Sequence, residues 1–262
     1  MTLIVGVKCR GGVVLAADSA ATYGNLGRST IVQTSATKLT PIAGTLIVGM
    51  SGPVGFSQRY VETVDGLWRS NQFASLAPAA AMVLLANHLK ALIGSEVQLM
   101  VEFAKVLGPA AASSVMCSTL VAMPIADEAR LFQFDHQGSP EEATESLPFV
   151  AIGSGEPIAD PFLAFLRRVF WPTGLPTVSD GTLTAVWTLD HAIRTNPGGV
   201  GGQIHVLILE TANGGWGVRE LEDSQVQEHT QMIQLAEDRL RTFRDVLIPG
   251  SNEEPVPMPP PA

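Results

Sequence analysis

Three residues near the start of the chain are of types that could together form a nucleophilic site. A threonine stands at position 2, and the apolar, β-branched run that follows it predicts a strand. Asp18 ends a second apolar run, and Lys38 lies in the stretch SATKLTPIA. A hydroxyl becomes nucleophilic when a base takes its proton, and a nearby charged pair can assist that step. Thr2, Asp18 and Lys38 are therefore the candidate catalytic residues.

The position of the threonine suggests which group would act as the base. Methionine aminopeptidases remove Met1 when the next side chain is small, so we expect the mature chain to begin at Thr2. The α-amine released in this way has a reference pKa of about 7.7–8.0 and is partly neutral near pH 7. An N-terminal threonine thus carries its nucleophile and its base on one residue.

The local strand pattern predicts that these residues meet. Two apolar runs flank the turn at Arg10-Gly11-Gly12, which is typical of a β-hairpin. In such a hairpin the positions of paired residues sum to about 20 to 22, so Thr2 lies opposite residues 18 to 20 and Asp18 comes next to it. A buried carboxylate needs a cation, and Lys38 can reach it from a neighbouring strand. We therefore expect the three side chains to converge at one end of one sheet.

The order of the predicted elements indicates the fold class. The strand segments are apolar almost without interruption, which predicts sheets covered on both faces. Helices that are segregated from hairpin-connected strands are typical of an α+β fold. We predict a four-layer αββα sandwich, with two antiparallel sheets between two helical layers. The predicted strands are 2–9, 12–18, 38–43, 45–50, 114–123, 129–135, 147–152, 203–210 and 215–220, and the predicted helices are 53–71, 76–107, 157–170 and 180–194.

Composition limits the classes of function. The chain has 262 residues, of which 46% are apolar and 16% charged, as expected for a globular protein with a sizeable core. A net charge of −9 argues against nucleic-acid binding. The uncharged run 107–126 contains Pro109 and Pro124, which favours a buried strand over a membrane span. With no secretory signal pattern, we expect a cytoplasmic protein whose two cysteines are buried thiols, although a disulfide is possible.

The C-terminal segment differs from the rest, so we divide the chain into a domain at 2–221 and an extension at 222–262. Ser224 fits the N-cap of a helix with an apolar residue at every seventh position, starting at Val226. This stripe could pack on its own subunit or on another one. The final NEEPVPMPPPA is acidic and Pro-rich, which predicts disorder. The other members of the stripe are Ile233, Leu240 and Leu247, flanked by Ala236 and Phe243.

Several motifs of the sequence resemble those of a known protein family. TLIVGVKCRGGVVLAADSAAT is similar to the start of proteasome β-subunits and HslV-type peptidases, which are N-terminal-nucleophile hydrolases. MSGPVG at 50–55 resembles the family's Met-Ala-Gly-Gly motif, and VAIGSG at 150–155 resembles its Gly-Ser-Gly segment. The long C-terminal segment is similar to that of betaproteobacterial members. The resemblance implies that Thr2 is the nucleophile, Lys38 the catalytic lysine, Asp18 its partner, Gly52 the oxyanion donor and Ser154 a hydrogen-bond partner of the N-terminal amine.

The same resemblance implies how a substrate would bind. Thr22 and Gly52 would hydrogen-bond the backbone of a peptide laid in as an extra strand. Ala21 and Val54 would line the first specificity pocket, which we expect to accept an apolar side chain. The implied function is that of a threonine-type endopeptidase in homo-oligomeric stacked rings, without metal or cofactor, with an ATP-dependent unfoldase as a candidate partner. Another N-terminal-nucleophile amidase and a catalytically silent scaffold protein are the alternatives.

The sequence also departs from the family pattern. The family places an aspartate, and a serine three residues later, just before the last core strands. Those places fall at Pro197 and Val200 in TNPGGVGGQIHV. Asn196 could substitute for the missing groups, or their loss could weaken activation of the amine.

Overall fold

The computed structural model describes residues 2–25, 28–33, 35–107, 117–195, 199–212 and 214–247. Within these ranges the chain forms twelve strands and five helices. Ten of the strands form two five-stranded antiparallel sheets, and the other two strands pair only with each other.

The first sheet contains the hairpin predicted at the start of the chain. Ile4 pairs with Ala17 and Val7 pairs with Val14, so paired positions sum to 21, within the predicted interval. Gly11, with φ +78°, supplies the left-handed backbone of the turn. The strands lie in the order β10, β1, β2, β11, β12, with bounds Ile4–Cys9 (β1), Gly12–Asp18 (β2), Phe149–Ile152 (β10), Ile204–Ala212 (β11) and Gly215–Glu220 (β12).

The second sheet has its strands in the order β5 to β9. Three short strands were not predicted from the sequence: β3 and β4, which form the two-stranded ribbon, and β9 at the sheet edge. Their segments are polar or contain glycine and proline, so they lack the apolar run that identifies the other strands. The bounds are Ala21–Asn25 (β3), Arg28–Gln33 (β4), Leu39–Ile42 (β5), Leu46–Ser51 (β6), Ser118–Ile125 (β7), Glu128–Phe134 (β8) and Pro140–Glu142 (β9).

Helices cover the outer face of each sheet. Strand β1 shows why its apolar run is continuous: Ile4 packs between the two sheets, whereas Val5 and Val7 pack against the helices over the first sheet. A third apolar cluster lies between the second sheet and its own helices. The prediction of a four-layer αββα sandwich is confirmed. The helices are Val54–Arg69 (α1) and Pro78–Leu107 (α2) on the second sheet, and Glu156–Phe170 (α3) and Val178–Thr195 (α4) on the first.

Two expectations about membranes and cysteines can be compared with this fold. Among the described residues, α2 is the single helix long and apolar enough to cross a bilayer, a property it shares with core helices of soluble proteins. Its Ala81, Leu85 and Leu89 are fully buried against the second sheet. Residues 108–116, where strand 114–123 was predicted to begin, lie outside the described residues. Cys9 and Cys117 are buried thiols that form no disulfide, as the thiol interpretation predicted.

The C-terminal helix α5 spans Asp223–Leu247. The predicted cap at Ser224 is wrong, because the helix starts earlier: the Glu222 N–H donates to Gln225 Oε1 at 3.1 Å, and the Glu222 carbonyl accepts the N–H of Val226. Val226 and Ile233 are buried in the core of the first sheet. Beyond them the helix leaves the body of the subunit.

The two halves of the α5 stripe therefore differ. Its first half packs on its own subunit, whereas Leu240 is 58% exposed and Phe243 is 53% exposed. An ion pair between Arg194 of α4 and Glu237 marks the point where the helix departs. Residues 248–262, the predicted disordered tail, lie outside the described residues, and the division into 2–221 and 222–262 stays a prediction.

Candidate active site

The Asp18 carboxylate is the centre of the site. It ends β2, is 1% exposed, and receives four hydrogen bonds, one from its own segment and three from distant parts of the chain. Oδ1 accepts from Lys38 Nζ at 2.5 Å and from the Leu3 N–H at 2.9 Å. Oδ2 accepts from the Gly201 N–H at 3.0 Å and from the Ala20 N–H at 3.3 Å. One cation and three amides thus compensate the burial of this charge.

Lys38 approaches from a different direction than predicted. It directly precedes β5, so it belongs to the second sheet, whereas Thr2 and Asp18 belong to the first. The expectation that all three meet at one end of one sheet is therefore wrong, and the ion pair joins the two sheets. The reason is that the sandwich brings the ends of β2 and β5 together, which no local pattern encodes.

The environment of Lys38 changes its acid–base behaviour. Its side chain is 7% exposed, and burial lowers the pKa of the ammonium, although the Asp18 carboxylate opposes this shift. With a lowered pKa, a larger fraction of the Lys38 amine is neutral at physiological pH. This property suits a group that relays a proton.

Thr2 lies between the Asp18–Lys38 pair and the segment after β10. Its nitrogen donates to Ser154 Oγ at 3.1 Å, and its carbonyl oxygen accepts from the Gly155 N–H at 3.2 Å. The next amide of the chain, at Leu3, is the one that binds Asp18 Oδ1. Both sides of the Thr2 backbone are therefore fixed by hydrogen bonds.

The two glycines around Ser154 permit this close approach. Gly153 has φ +100°, and a Cβ there would lie 2.3 Å from the carbonyl oxygen of Thr2. A Cβ at Gly155 would lie 2.9 Å from the Cβ of Leu3. A side chain at either position would push the start of β1 away from Ser154. The Gly-Ser-Gly sequence is thus needed for steric reasons.

A cleft of about 720 Å³ opens in front of Thr2. Lys38, Gly52, Ala21 and Val54 line it together with Thr2, so five of the predicted site residues share one cavity. Gly52 follows β6 and has φ +142°, a backbone conformation that favours glycine.

The remaining predicted residues are placed differently. Asp18 and Ser154 hold Lys38 and Thr2 by hydrogen bonds and are not part of the cleft lining. Thr22 belongs to strand β3, and its side chain lies outside the described residues. Within the described ranges, no three or more His, Cys, Asp or Glu side chains are grouped as metal ligands would be.

Some residues of the site were not identified from the sequence. The N–H of Gly201 binds Asp18, and nothing local to TNPGGVGGQ indicates this contact. One face of α1 lines the cleft, and its helical spacing from Val54 was a usable signal. Val200, at the position where the resemblance implies a serine, is 5% exposed and packs in the core of the first sheet. Asn196 and Pro197 lie outside the described residues.

Known proteins resemble this chain in sequence. Residues 2–76 match the family model described as proteasome subunit. The chain is 26% identical over 235 residues to a proteasome subunit beta of Methanococcus aeolicus, covering 88% of this chain and 93% of the relative. It is 27% identical over 196 residues to one of Methanococcus maripaludis, covering 74% and 76%.

Two solved structures extend the likeness to nearly the whole chain. Anbu (ancestral beta-subunit) from Yersinia bercovieri has a TM-score of 0.68 at 18% identity and covers 95% of this chain and 98% of its own. An Anbu (Gly-1) mutant from Hyphomicrobium sp. strain MC1 has a TM-score of 0.67 at 17% identity and covers 98% and 100%. The fold is thus the sandwich seen in these proteasome-like structures, and residues 2–76 are similar to proteasome subunits.

Proposed function

We propose that this chain is a threonine-type endopeptidase subunit of a proteasome-like particle, with Thr2 as the nucleophile once Met1 has been removed. The observation that best supports the proposal is the position of Thr2. The Thr2 nitrogen donates a hydrogen bond to Ser154, and the N–H of the next residue donates one to Asp18. Thr2 also lines the cleft, together with Lys38 and Gly52.

Each group then has a chemical role. The free α-amine of Thr2 accepts the proton of Oγ1, which attacks the carbonyl carbon of the scissile peptide bond. Lys38 supports this transfer as a cation or proton relay, and Asp18 orients it and balances its charge. The N–H of Gly52 would stabilise the oxyanion, a contribution worth about 3–4 kcal/mol in other acyl-transfer enzymes. The amine fragment leaves with a proton, and water then hydrolyses the ester on Thr2.

The cleft suits a polypeptide substrate. Ala21 of β3 and Gly52 after β6 both line it, so an extended peptide between these segments could pair with the backbone of Thr22 and Gly52. The side chain preceding the scissile bond would enter the space bordered by Ala21 and Val54.

The assembly proposed here is a set of homo-oligomeric stacked rings in the cytoplasm, with an ATP-dependent unfoldase as a candidate partner. The exposed Leu240 and Phe243 on α5 support contact with a second subunit, because they are neighbours on one face of the helix and form an apolar patch. The narrower assignment to the betaproteobacterial proteasome homologue, which the long C-terminal segment suggested, is part of the same proposal.

One observation favours a second candidate, a catalytically silent scaffold. Val200 is buried where the family places a serine, so an apolar side chain stands where a hydroxyl could support the amine. A small-molecule amidase of the same nucleophile class differs from both because it requires no closed chamber.

Mass mapping of the native protein tests the proposal. We expect intact mass to show loss of Met1, and a peptide epoxyketone, which traps the hydroxyl and the amine of one residue, to add to Thr2. The Thr2→Ala variant should keep the particle size of several hundred kilodaltons and gain no adduct. Retained Met1 on native protein would favour the scaffold, normal labelling of Thr2→Ala would exclude Thr2, and a labelled monomer would favour the amidase.

A further inference from the structure

The lining of the cleft carries information on substrate choice that the site residues alone do not. Helix α1 contributes Val54, Ser57, Gln58, Val61 and Glu62, which lie on one helical face. With a rise of about 1.5 Å per residue, Glu62 lies roughly 12 Å along the helix axis from Val54, which is next to Gly52. The cleft therefore extends along α1, away from Gly52.

Part of the wall of this extension is apolar. Val48 and Met50 of β6 are buried in the cleft floor, and Val61 is half-buried. Such walls suit an aliphatic chain, which agrees with the apolar pocket expected from the sequence. The same lining also contains the carboxylate of Glu62, which is exposed to solvent.

Charge distinguishes Glu62 from the rest of the lining. The described lining contains two charged side chains, Lys38 and Glu62. Lys38 is paired with Asp18, whereas no hydrogen bond or ion pair of Glu62 occurs among the described residues. The neighbouring cation Arg59 is held by Glu96. Glu62 is thus available to a cation that enters the cleft from outside.

We infer that the cleft selects a lysine or arginine side chain of the substrate and that Glu62 is the specificity-determining residue. These two side chains have an apolar stem and a cationic head, so the stem can lie on Val48, Met50 and Val61 while the head reaches Glu62. The Gln58 amide, one turn earlier on the same face, offers a further acceptor. An apolar side chain would contact the same walls but would gain no interaction with the Glu62 carboxylate, which is exposed to solvent. This inference rests on the proposed peptidase function and names its substrate class.

Hydrolysis by the assembled, full-length protein provides the first test. Four fluorogenic peptides would differ only in the residue before the scissile bond: arginine, lysine, leucine or glutamate. We expect wild-type kcat/KM to be highest for arginine and lysine. Glu62→Gln keeps the shape of the side chain and removes its charge. It should lower kcat/KM for the arginine and lysine peptides by roughly tenfold, the usual scale for a charge-assisted hydrogen bond. The kcat/KM for the leucine peptide should change by less than about twofold. Glu141→Gln, on the exposed strand β9, is the matched control.

Binding to an inactive variant separates this inference from the proposed function. Fluorescence polarisation would measure the Kd of labelled arginine and leucine peptides for Thr2→Ala and for the double variant Thr2→Ala/Glu62→Gln. A preference for arginine that disappears in the double variant supports the inference even if no peptide is hydrolysed, an outcome that would count against the peptidase alone. Equal binding of both peptides to Thr2→Ala, or equal loss of both in the double variant, would overturn the role of Glu62.

Discussion

Lys38 Nζ and Asp18 Oδ1 lie 2.5 Å apart, in a buried ion pair that connects the two sheets of the sandwich. The same carboxylate oxygen accepts the N–H of Leu3, so the pair also fixes the backbone that follows Thr2. Structural support and the proposed chemistry are thus combined in one contact. Substitutions of Lys38 can separate them.

Lys38→Ala should destabilise the fold by about 3–5 kcal/mol, because it leaves the buried Asp18 charge without its cation. Lys38→Arg keeps a cation and should lose much less stability. Both variants should lose peptidase activity, since a guanidinium does not release its proton. Urea unfolding together with peptide hydrolysis measures the two effects. An active Lys38→Arg variant would exclude proton relay by Lys38.

Gly153→Ala should damage both folding and activity. The new Cβ would lie 2.3 Å from the carbonyl oxygen of Thr2, which is too close. The backbone of Thr2 would have to move, and the start of β1 would move with it. Gly11→Ala is the matched control, because Gly11 also has positive φ but has open space around its Cβ position. The control should cost about 1 kcal/mol from backbone conformation alone. Thermal unfolding and labelling by the epoxyketone compare the two variants, and equal effects would contradict the steric explanation.

Asp160 on α3 gives a pH-dependent prediction. Burial and the nearby Glu156 raise the pKa of Asp160 from 3.8 to about 6. Because the folded-state pKa lies above the unfolded one, the stabilising contribution is complete below pH 3.8 and is lost as pH rises through about 6. Asp160→Asn stays neutral, so it should be more stable than wild type at pH 7, by about 1 kcal/mol after solvent screening, and equal to it near pH 3.5.

Denaturant unfolding of both proteins between pH 3.5 and pH 7.5 provides the measurement for Asp160. Glu156→Gln is the control, because removal of the neighbouring charge should lower the pKa of Asp160 and weaken the pH dependence. A stability difference that does not change with pH would show that Asp160 does not titrate in this range.

The exposed part of α5 gives a prediction on assembly. Phe243→Glu changes a side chain that is 53% exposed, so the isolated subunit should unfold at an unchanged urea concentration. If this half of the stripe lies between subunits, the particle should become smaller in size-exclusion chromatography with light scattering. Ile233→Ala, on the buried half, should instead cost about 2–5 kcal/mol of stability. An unchanged particle with Phe243→Glu would contradict an intersubunit role for Phe243.

Local patterns in the sequence were sufficient for part of the site. The apolar runs around Gly11 predicted the register that brings Asp18 to the start of β1, because hairpin pairing follows from the position of its turn. The role of Ser154 was expected from the resemblance of the Gly-Ser-Gly segment to the family motif. Both features depend on residues that are close in sequence or have an unusual composition.

Other features depend on tertiary packing and could not be predicted. The sheet to which Lys38 belongs is decided by how two sheets stack, and the contact of the Gly201 N–H with Asp18 is decided by the path of a glycine-rich loop. The apolar stripe of α5 predicted a helix correctly, but its regular spacing gave no sign that Ile233 is buried while Leu240 is exposed.

The hydrogen bonds around Thr2 also determine when the site can form during synthesis. Ser154 lies 152 residues after Thr2, and Gly201 lies 183 residues after Asp18. A nascent chain whose segments around Ser154 and Gly201 are not yet made therefore lacks these hydrogen bonds to Thr2 and Asp18. If Thr2 is the nucleophile, as proposed, the order of translation would delay its chemistry until the segments that contain Ser154 and Gly201 have been made.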